Sequence, residues 1–422
     1  MTVMDVLPIE IIRMILGIAV DKRRTTCANL WLDYYASLSK YREQQALIRK
    51  LGSVCRQWRS ICLEFLFEHV WITPPLGPNT LAFRQIFDTD TLCGHLTNSP
   101  GWWTRQLHLD ILFLEAPERK ALINHFQIKN PFPNVDHISI FHCGRDGNQE
   151  NSELILDVYA KHLTFLMLHG SKDTFHEIIS HAPGALSQLQ ELVLEFSWHS
   201  HEQPPSQDQR KPLVLPSVHT LHLRRPRQNE YLALLDWSFP SLRTLAIHLM
   251  PSFPDAFWPF IHLHGSKLTS LSVPYWPCQP SIHSDLFEAC PAVERLEVLD
   301  ALWDEDVLQI RPVALAYFPI MEEHGLREWI FNPFWLDCDF DITFEAYTED
   351  PKFFPSLQKI TFMSPGVGKI FSLSLERVQS LRDWSRALKS RGVSLVDDED
   401  GIKISLEIIY EVLINIPVPY FE

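Results

Sequence analysis

Side chains of the types that do chemistry are plentiful in this chain, but their spacing is not that of a reaction centre. Gly366-Val367-Gly368-Lys369 resembles part of a phosphate loop, in which backbone N–H groups cradle phosphate and a hydroxyl holds magnesium. Such a loop needs Gly at 363 and Ser or Thr at 370, where the chain has Met363 and Ile370. A turn is the better account. His199-Ser200-His201 offers two imidazoles in the polar stretch 197–211, but a zinc site needs two more ligands and the sequence names none. Nineteen histidines and 52 acidic residues include no HExxH, GxSxG or Cys–His signature that would pair a nucleophile with its base. The acidic run Asp397–Asp400 reads as a solvated turn. The chain is therefore read as a non-enzyme, with no cofactor and no metal.

The remaining chemistry is recognition. Arg224, Arg225 and Arg227 form a basic spot beside Pro226 in an acidic chain. Clustered guanidinium groups pair well with phosphate, so the spot reads either as a seat for a phosphorylated segment or as a plain solvated loop. Lys plus Arg number 37 against 52 Asp plus Glu, a net charge of −15. That balance argues against nucleic acid and against anionic membrane as partners.

No stretch approaches the roughly 20 apolar residues that span a bilayer. Asp5, Glu10 and Arg13 interrupt the apolar N-terminus, so it does not read as a secretory signal. Eight cysteines scattered without a CxxC pair fit free thiols in a reducing compartment, intracellular, in cytoplasm and/or nucleus. Length and a hydrophobic content of 46% are those of a globular chain of two or three domains. Pro outnumbers Gly by 30 to 15, which implies many turns at fixed places.

Two separated apolar patterns open the chain. Leu7-Pro8-Ile9-Glu10-Ile11-Ile12-Arg13-Met14-Ile15-Leu16 places Pro8 in a first helical turn and Ile11, Ile12, Ile15 and Leu16 at helical spacing. Val54, Trp58, Ile61 and Phe65 mark another helix, and a third helical pattern runs through Leu30–Leu51. Three short helices do not bury every apolar face, so one face is expected to meet a partner.

These two blocks, with Leu66-Phe67-Glu68-His69-Val70 after them, resemble the F-box motif as fungal proteins write it, over roughly a sixth of the chain. The resemblance implies binding to a Skp-type adaptor and, through it, a cullin. Residue by residue it implies adaptor contacts at Leu7, Pro8, Ile11, Ile15, Leu16, Val54, Cys55, Trp58 and Arg59. The blocks stand about twenty residues further apart than in a compact F-box, so residues 21–46 read as an insertion. Thr73-Pro74-Pro75-Leu76-Gly77-Pro78-Asn79 then reads as a linker.

Beyond residue 100 the pattern apolar-x-x-apolar-x-apolar keeps returning. Its copies are Thr104/Leu107/Leu109, Val135/Ile138/Ile140, Leu163/Leu166/Leu168, Leu189/Leu192/Leu194 and Val218/Leu221/Leu223. They continue as Leu242/Leu245/Ile247, Leu268/Leu271/Val273, Val293/Leu296/Val298, Leu326/Trp329/Phe331 and Leu357/Ile360/Phe362. Successive starts lie 24 to 33 residues apart. Pro133, Pro216, Pro240, Pro291 and Pro355 stand two residues before the first apolar position, where a fixed φ sets the turn into a strand. Each unit cannot bury its apolar side alone, so copies must stack. Return helices are expected at Ala116–Phe126, Asp173–His181, Asn229–Trp237, Ser281–Cys290 and Ala301–His324, and a late strand around Val393–Val396.

The units resemble divergent leucine-rich repeats. The expected fold is α/β: a small N-terminal helical F-box-like module followed by a leucine-rich-repeat solenoid, a horseshoe with parallel strands on its concave face. Expected bounds are 1–72 for the module, 73–79 for the linker, 80–373 for about ten repeats and 374–422 for a C-terminal cap. An ordinary α/β domain with similar strands is the alternative. Side chains alternating with the leucines should face outward. Phe141, Phe165 and Met167 are apolar there and, with His222 and Arg224, are the expected substrate contacts; burial of the three under a neighbouring loop, or a slip of register, is the alternative.

The resemblance thus implies the substrate-recognition subunit of a Skp–cullin–F-box ubiquitin ligase with an unknown protein substrate. The alternative is a repeat scaffold that joins no cullin ligase.

Overall fold

A computed structural model describes residues 9–21, 34–72, 100–110, 132–141, 148–181, 185–197, 212–248, 254–273, 280–298, 326–331, 356–362 and 386–397. Leu7, Pro8, the linker 73–79, His199, His201, Gly366–Lys369 and most of the expected cap lie outside them, as do the expected returns at 116–126 and 301–324. The architecture is α/β with parallel strands. It divides into two compact units, Met1–Leu168 with Glu177–Leu186, and His169–His176 with Ser187–Glu422. Among the described residues no helix is long and apolar enough to cross a membrane.

The first unit opens with helices α1 (Ile9–Asp21), α2 (Tyr34–Gly52) and α3 (Arg56–Glu68). Ile12, Leu16, Ile48, Trp58, Ile61 and Cys62 interlock as their core. The Arg13 guanidinium ties α1 to α3 by donating to both oxygens of Glu64, at 2.8 and 3.2 Å.

Helix α3 then runs straight into strand β1 (His69–Ile72), with His69 as its C-cap in extended backbone. β2 (Gln106–Asp110), β3 (His137–Phe141) and β4 (Phe165–Gly170) follow, all parallel and in chain order. Val70, Leu107, Ile138 and Leu166 stand in one register row, and Ile72, Leu109, Ile140 and Leu168 in the next. Every one of these is buried.

The boundary expected at residue 72 therefore changes. Phe67, Val70 and Ile72 are one more copy of the repeat pattern, and the sheet begins inside the segment assigned to the helical module. Phe67 hid this copy because it also continues the helical stripe of α3.

After α4 (Asn148–Tyr159) and α5 (Lys172–His181), the second unit carries β5 (Glu191–Phe196), β6 (Leu213–Val214), β7 (Thr220–Arg224), α6 (Gln228–Leu234) and β8 (Trp237–Ser238). It goes on through β9 (Thr244–His248), α7 (Phe257–His264), β10 (Ser270–Val273), α8 (Pro280–Ala289) and β11 (Arg295–Val298). β12 (Glu328–Phe331), β13 (Lys359–Phe362) and β14 (Ser394–Asp397) complete it. Its sheet order is β5-β7-β9-β10-β11-β12-β13-β14, and β6 pairs separately with β8. The expected returns near 173–181, 229–237 and 281–290 are α5, α6 and α8, and the late strand is β14.

One polar device repeats through both units. Before most of the strands a single carbonyl accepts two consecutive N–H groups from the next segment. Arg105 O takes those of Asp136 and His137, and Asp136 O those of Thr164 and Phe165. Gln190 O takes those of His219 and Thr220, His219 O those of Arg243 and Thr244, and Arg243 O those of Thr269 and Ser270. Backbone groups that a buried loop would leave unpaired are thereby satisfied at these steps. Pro355 lies outside the described residues. Three of the five prolines fulfil the expected role: Val135 N–H reaches Phe132 O, Leu242 reaches Phe239 O, and Val293 reaches Cys290 O. Pro133, Pro240 and Pro291 thus sit second in four-residue turns, where their fixed φ belongs.

Behind the second sheet Tyr231, Phe239, Phe257 and Phe260 are fully buried. Gly265, at the end of α7, lies where the next repeat comes closest. A Cβ there would stand 2.6 Å from Ala289 O and 2.7 Å from Cys290 Sγ. Gly265→Ala is expected to lower stability by about 1–3 kcal/mol through forced separation of the two repeats, read as a lower urea midpoint at unchanged slope.

Candidate functional site

Helix α1 is apolar on both sides, which a helix buried on one side alone does not need. Ile12 and Leu16 face the module core, whereas Ile11, Met14 and Ile15, at i, i+3 and i+4, are 37%, 54% and 43% exposed. Ile9 is exposed as well, and Val54, at the turn into α3, is 57% exposed. Cys55 and Arg59 are also exposed. Monomeric surfaces seldom keep a whole apolar helix stripe in water, and such stripes mark docking faces.

The expected adaptor set thus separates. Ile11, Ile15, Val54, Cys55 and Arg59 are presented to solvent. Leu16 and Trp58 belong to the module's own core, packed with Ile12, Ile48, Ile61 and Cys62. Trp58 Nε1 is buried, with no hydrogen-bond partner among the described residues. Met14 and Ile9 were missed, since the sequence shows an apolar helix without showing which stripe the core takes.

The outward faces of the strands form the second place to look. In the first unit that face is closed. Phe141, Phe165 and Met167 are 8%, 3% and 0% exposed, which corrects the expectation of an open apolar patch. Trp71 stacks on His108 with centroids 4.7 Å apart and on Phe141 at 5.9 Å, Tyr41 of α2 covers Trp71 at 5.8 Å, and Phe165 stacks on His137 at 5.3 Å. The sheet is buried on both faces here, as parallel sheets usually are. Burial pushes His108 down to about 4, with His137 adding to the effect.

In the second unit the outward face is polar. Glu195 of β5 accepts from Arg224 at 3.1 Å and from Arg225 at 3.0 Å. Arg224 is buried, and Arg225 adopts the left-handed backbone region with φ 55°. Desolvation lowers the Arg225 pKa from its ordinary value, opposed by Glu195 and reinforced by Arg224. The expected basic spot is therefore not an open phosphate seat, because its two leading guanidinium groups already hold a carboxylate. Arg227 sits at the start of α6, its N–H donating to Glu230.

His222 is half-buried, 3.2 Å from Glu191 and stacked on His248 with centroids 5.9 Å apart. Desolvation, with His222 and Arg224 nearby, takes His248 down to about 3. Lys359 reaches Glu328 at 2.7 Å, and Arg295 stands 3.7 Å from the same carboxylate. Among the described residues no three His, Cys, Asp or Glu side chains gather as metal ligands.

A scan against protein-family models finds no match to this chain, and a comparison with curated proteins finds none either.

Proposed function

We propose that the chain is the substrate-recognition subunit of a Skp–cullin–F-box ubiquitin ligase. The observation that carries this is the solvent-exposed stripe Ile11, Met14 and Ile15 on a helix whose other side is fully engaged, in the segment that resembles an F-box. On this reading α1 and the turn at Val54 dock the Skp-type adaptor, which links to a cullin. The parallel strands belong to a leucine-rich-repeat horseshoe that holds a protein substrate. The contribution is placement and effective concentration, with bond making left to other subunits. The substrate surface is then the open polar face around His222, Glu191, Thr244 and Arg295, with Arg224 as its buried support.

Adaptor capture tests this with surface changes, because Trp58→Ala would empty the module core. Wild-type protein should co-purify with a Skp-type adaptor. Ile11→Asp/Ile15→Asp, melting at the same temperature, should bind about 100-fold more weakly, as charges set into an apolar docking face do. Equal binding by both proteins, or none by folded wild type, overturns the reading.

One observation favours a second reading, in which the helices only cap a repeat scaffold. α3 and β1 are continuous, and Tyr41 packs on Trp71 of the first strand. Capping alone, however, leaves the stripe on α1 without a use.

A further inference from the structure

Helix α2 falls largely in the stretch that separates the two F-box-like blocks, and its side chains reach well beyond the helical core. Its C-terminal half supplies Ile48 to the core shared with α1 and α3. Its middle reaches the place where α3 ends and the sheet begins. There Gln45 Nε2 donates to Leu66 O at 3.1 Å, and Tyr41 Oη to His69 O at 3.4 Å, while the Tyr41 ring lies against Trp71.

The other carbonyls of that junction are held from the sheet side. Thr104 Oγ1 donates to Phe67 O at 2.8 Å and the Arg105 N–H to Glu68 O at 2.9 Å. Helix C-termini normally leave their last carbonyls to water or to a cap. Here four consecutive carbonyls are taken, the outer two (66 and 69) by α2 and the inner two (67 and 68) by the segment entering β2. Gln45 is buried and Tyr41 half-buried, so these contacts are partly shielded from water, and a shielded hydrogen bond is harder to give up.

We propose that α2 is a brace, with Tyr41 and Gln45 as positioning residues that fix the exposed stripe of α1 in one orientation to strands β1–β4. A hinge at residues 68–69 would otherwise be available, because a helix-to-strand junction bends by rotating a few backbone dihedrals. The brace rests on the proposed function only for its purpose, which is to hold a docked adaptor at a set angle. Its existence is a property of the free chain.

The test uses the full chain, with spin labels attached through p-acetylphenylalanine at Met14 and Lys161, so that the native cysteines need no change. Both positions are exposed and belong to the first unit. Wild type should give one narrow distance distribution. Tyr41→Phe/Gln45→Met keeps the bulk and removes both donors, and it should broaden the distribution about twofold. Tyr41→Ala/Gln45→Ala should broaden it further. Amide exchange in β7 reports whether the repeats stay folded, and the soft variant decides if the alanine variant unfolds the module.

An unchanged width in the soft variant overturns the brace. Loss of adaptor capture in Ile11→Asp/Ile15→Asp, with the narrow distribution kept, leaves it standing. The two ideas therefore fail separately.

Discussion

Phe165→Ser/Met167→Ser is expected to unfold the sheet of the first unit. Phe165 and Met167 occupy outward strand positions, yet both are buried, with Phe165 stacked on His137 and Met167 alongside Ser139 in the register. Each truncation removes a buried apolar side chain at about 2–5 kcal/mol. Each also leaves a hydroxyl inside, adding about 1–3 kcal/mol if it finds no partner. The sum rivals the ~5–15 kcal/mol that a domain has in hand. Amide exchange through β1–β4 should lose its protection, whereas Phe165→Leu/Met167→Leu should retain it at a cost of about 1–2 kcal/mol. A folded serine variant that merely stops binding a partner would mean that this face is open after all.

The second large effect is on acid stability. His108, His248 and His264 are held down to about 4, 3 and 4, in each case chiefly by desolvation. His264 is enclosed by Phe239 and Phe260, and Lys267 disfavours a second positive charge, against which a backbone hydrogen bond at Trp237 works only in part. An unfolded histidine titrates near 6.5, so below that pH the unfolded chain binds protons that the folded chain refuses. Stability is therefore complete above about pH 7, falls as pH drops through 6.5 toward 4, and levels off below the folded values. The loss is about 2–3 kcal/mol for each fully buried ring. Urea midpoints at pH 7.5 and 4.5 should differ accordingly. His264→Phe, which fits an aromatic nest, should shrink that difference by its own share and leave pH 7.5 nearly untouched. An equal acid loss in wild type and His264→Phe would assign the effect to other groups.

Strand positions were legible because three apolar residues at fixed spacing recur, and every copy with described burial turned its leucines inward. Glu195 opposite Arg224 was legible too, each standing one residue after the last apolar position of its repeat. Aligning the copies pairs them, and the loop reading of the arginines came from taking that triplet alone. What covers the outward face of β1–β4 was not legible, since alternation fixes the face of a side chain and says nothing of its neighbours. Trp71 and Tyr41 do part of that covering, from a strand and a helix assigned to a different module. The same holds for α1: its spacing implied an amphipathic helix, but an apolar residue at nearly every position leaves the choice of buried stripe to Ile48 and Ile61, far along the chain.

Sheet order in the first unit equals chain order, and this bears on how the protein is made. From His69 to Gln106, His137 and Phe165, each strand pairs with the one synthesised before it. Closing a loop of about thirty residues is a modest entropic demand, rising by only about 0.6 kcal/mol per doubling of length. Helices α1 to α3 need contacts of short range and can form while the rest is still in the ribosome. α3 then delivers β1 as a finished edge for β2 to read. Loss of the first helices is therefore expected to remove the template on which β1 to β4 are laid.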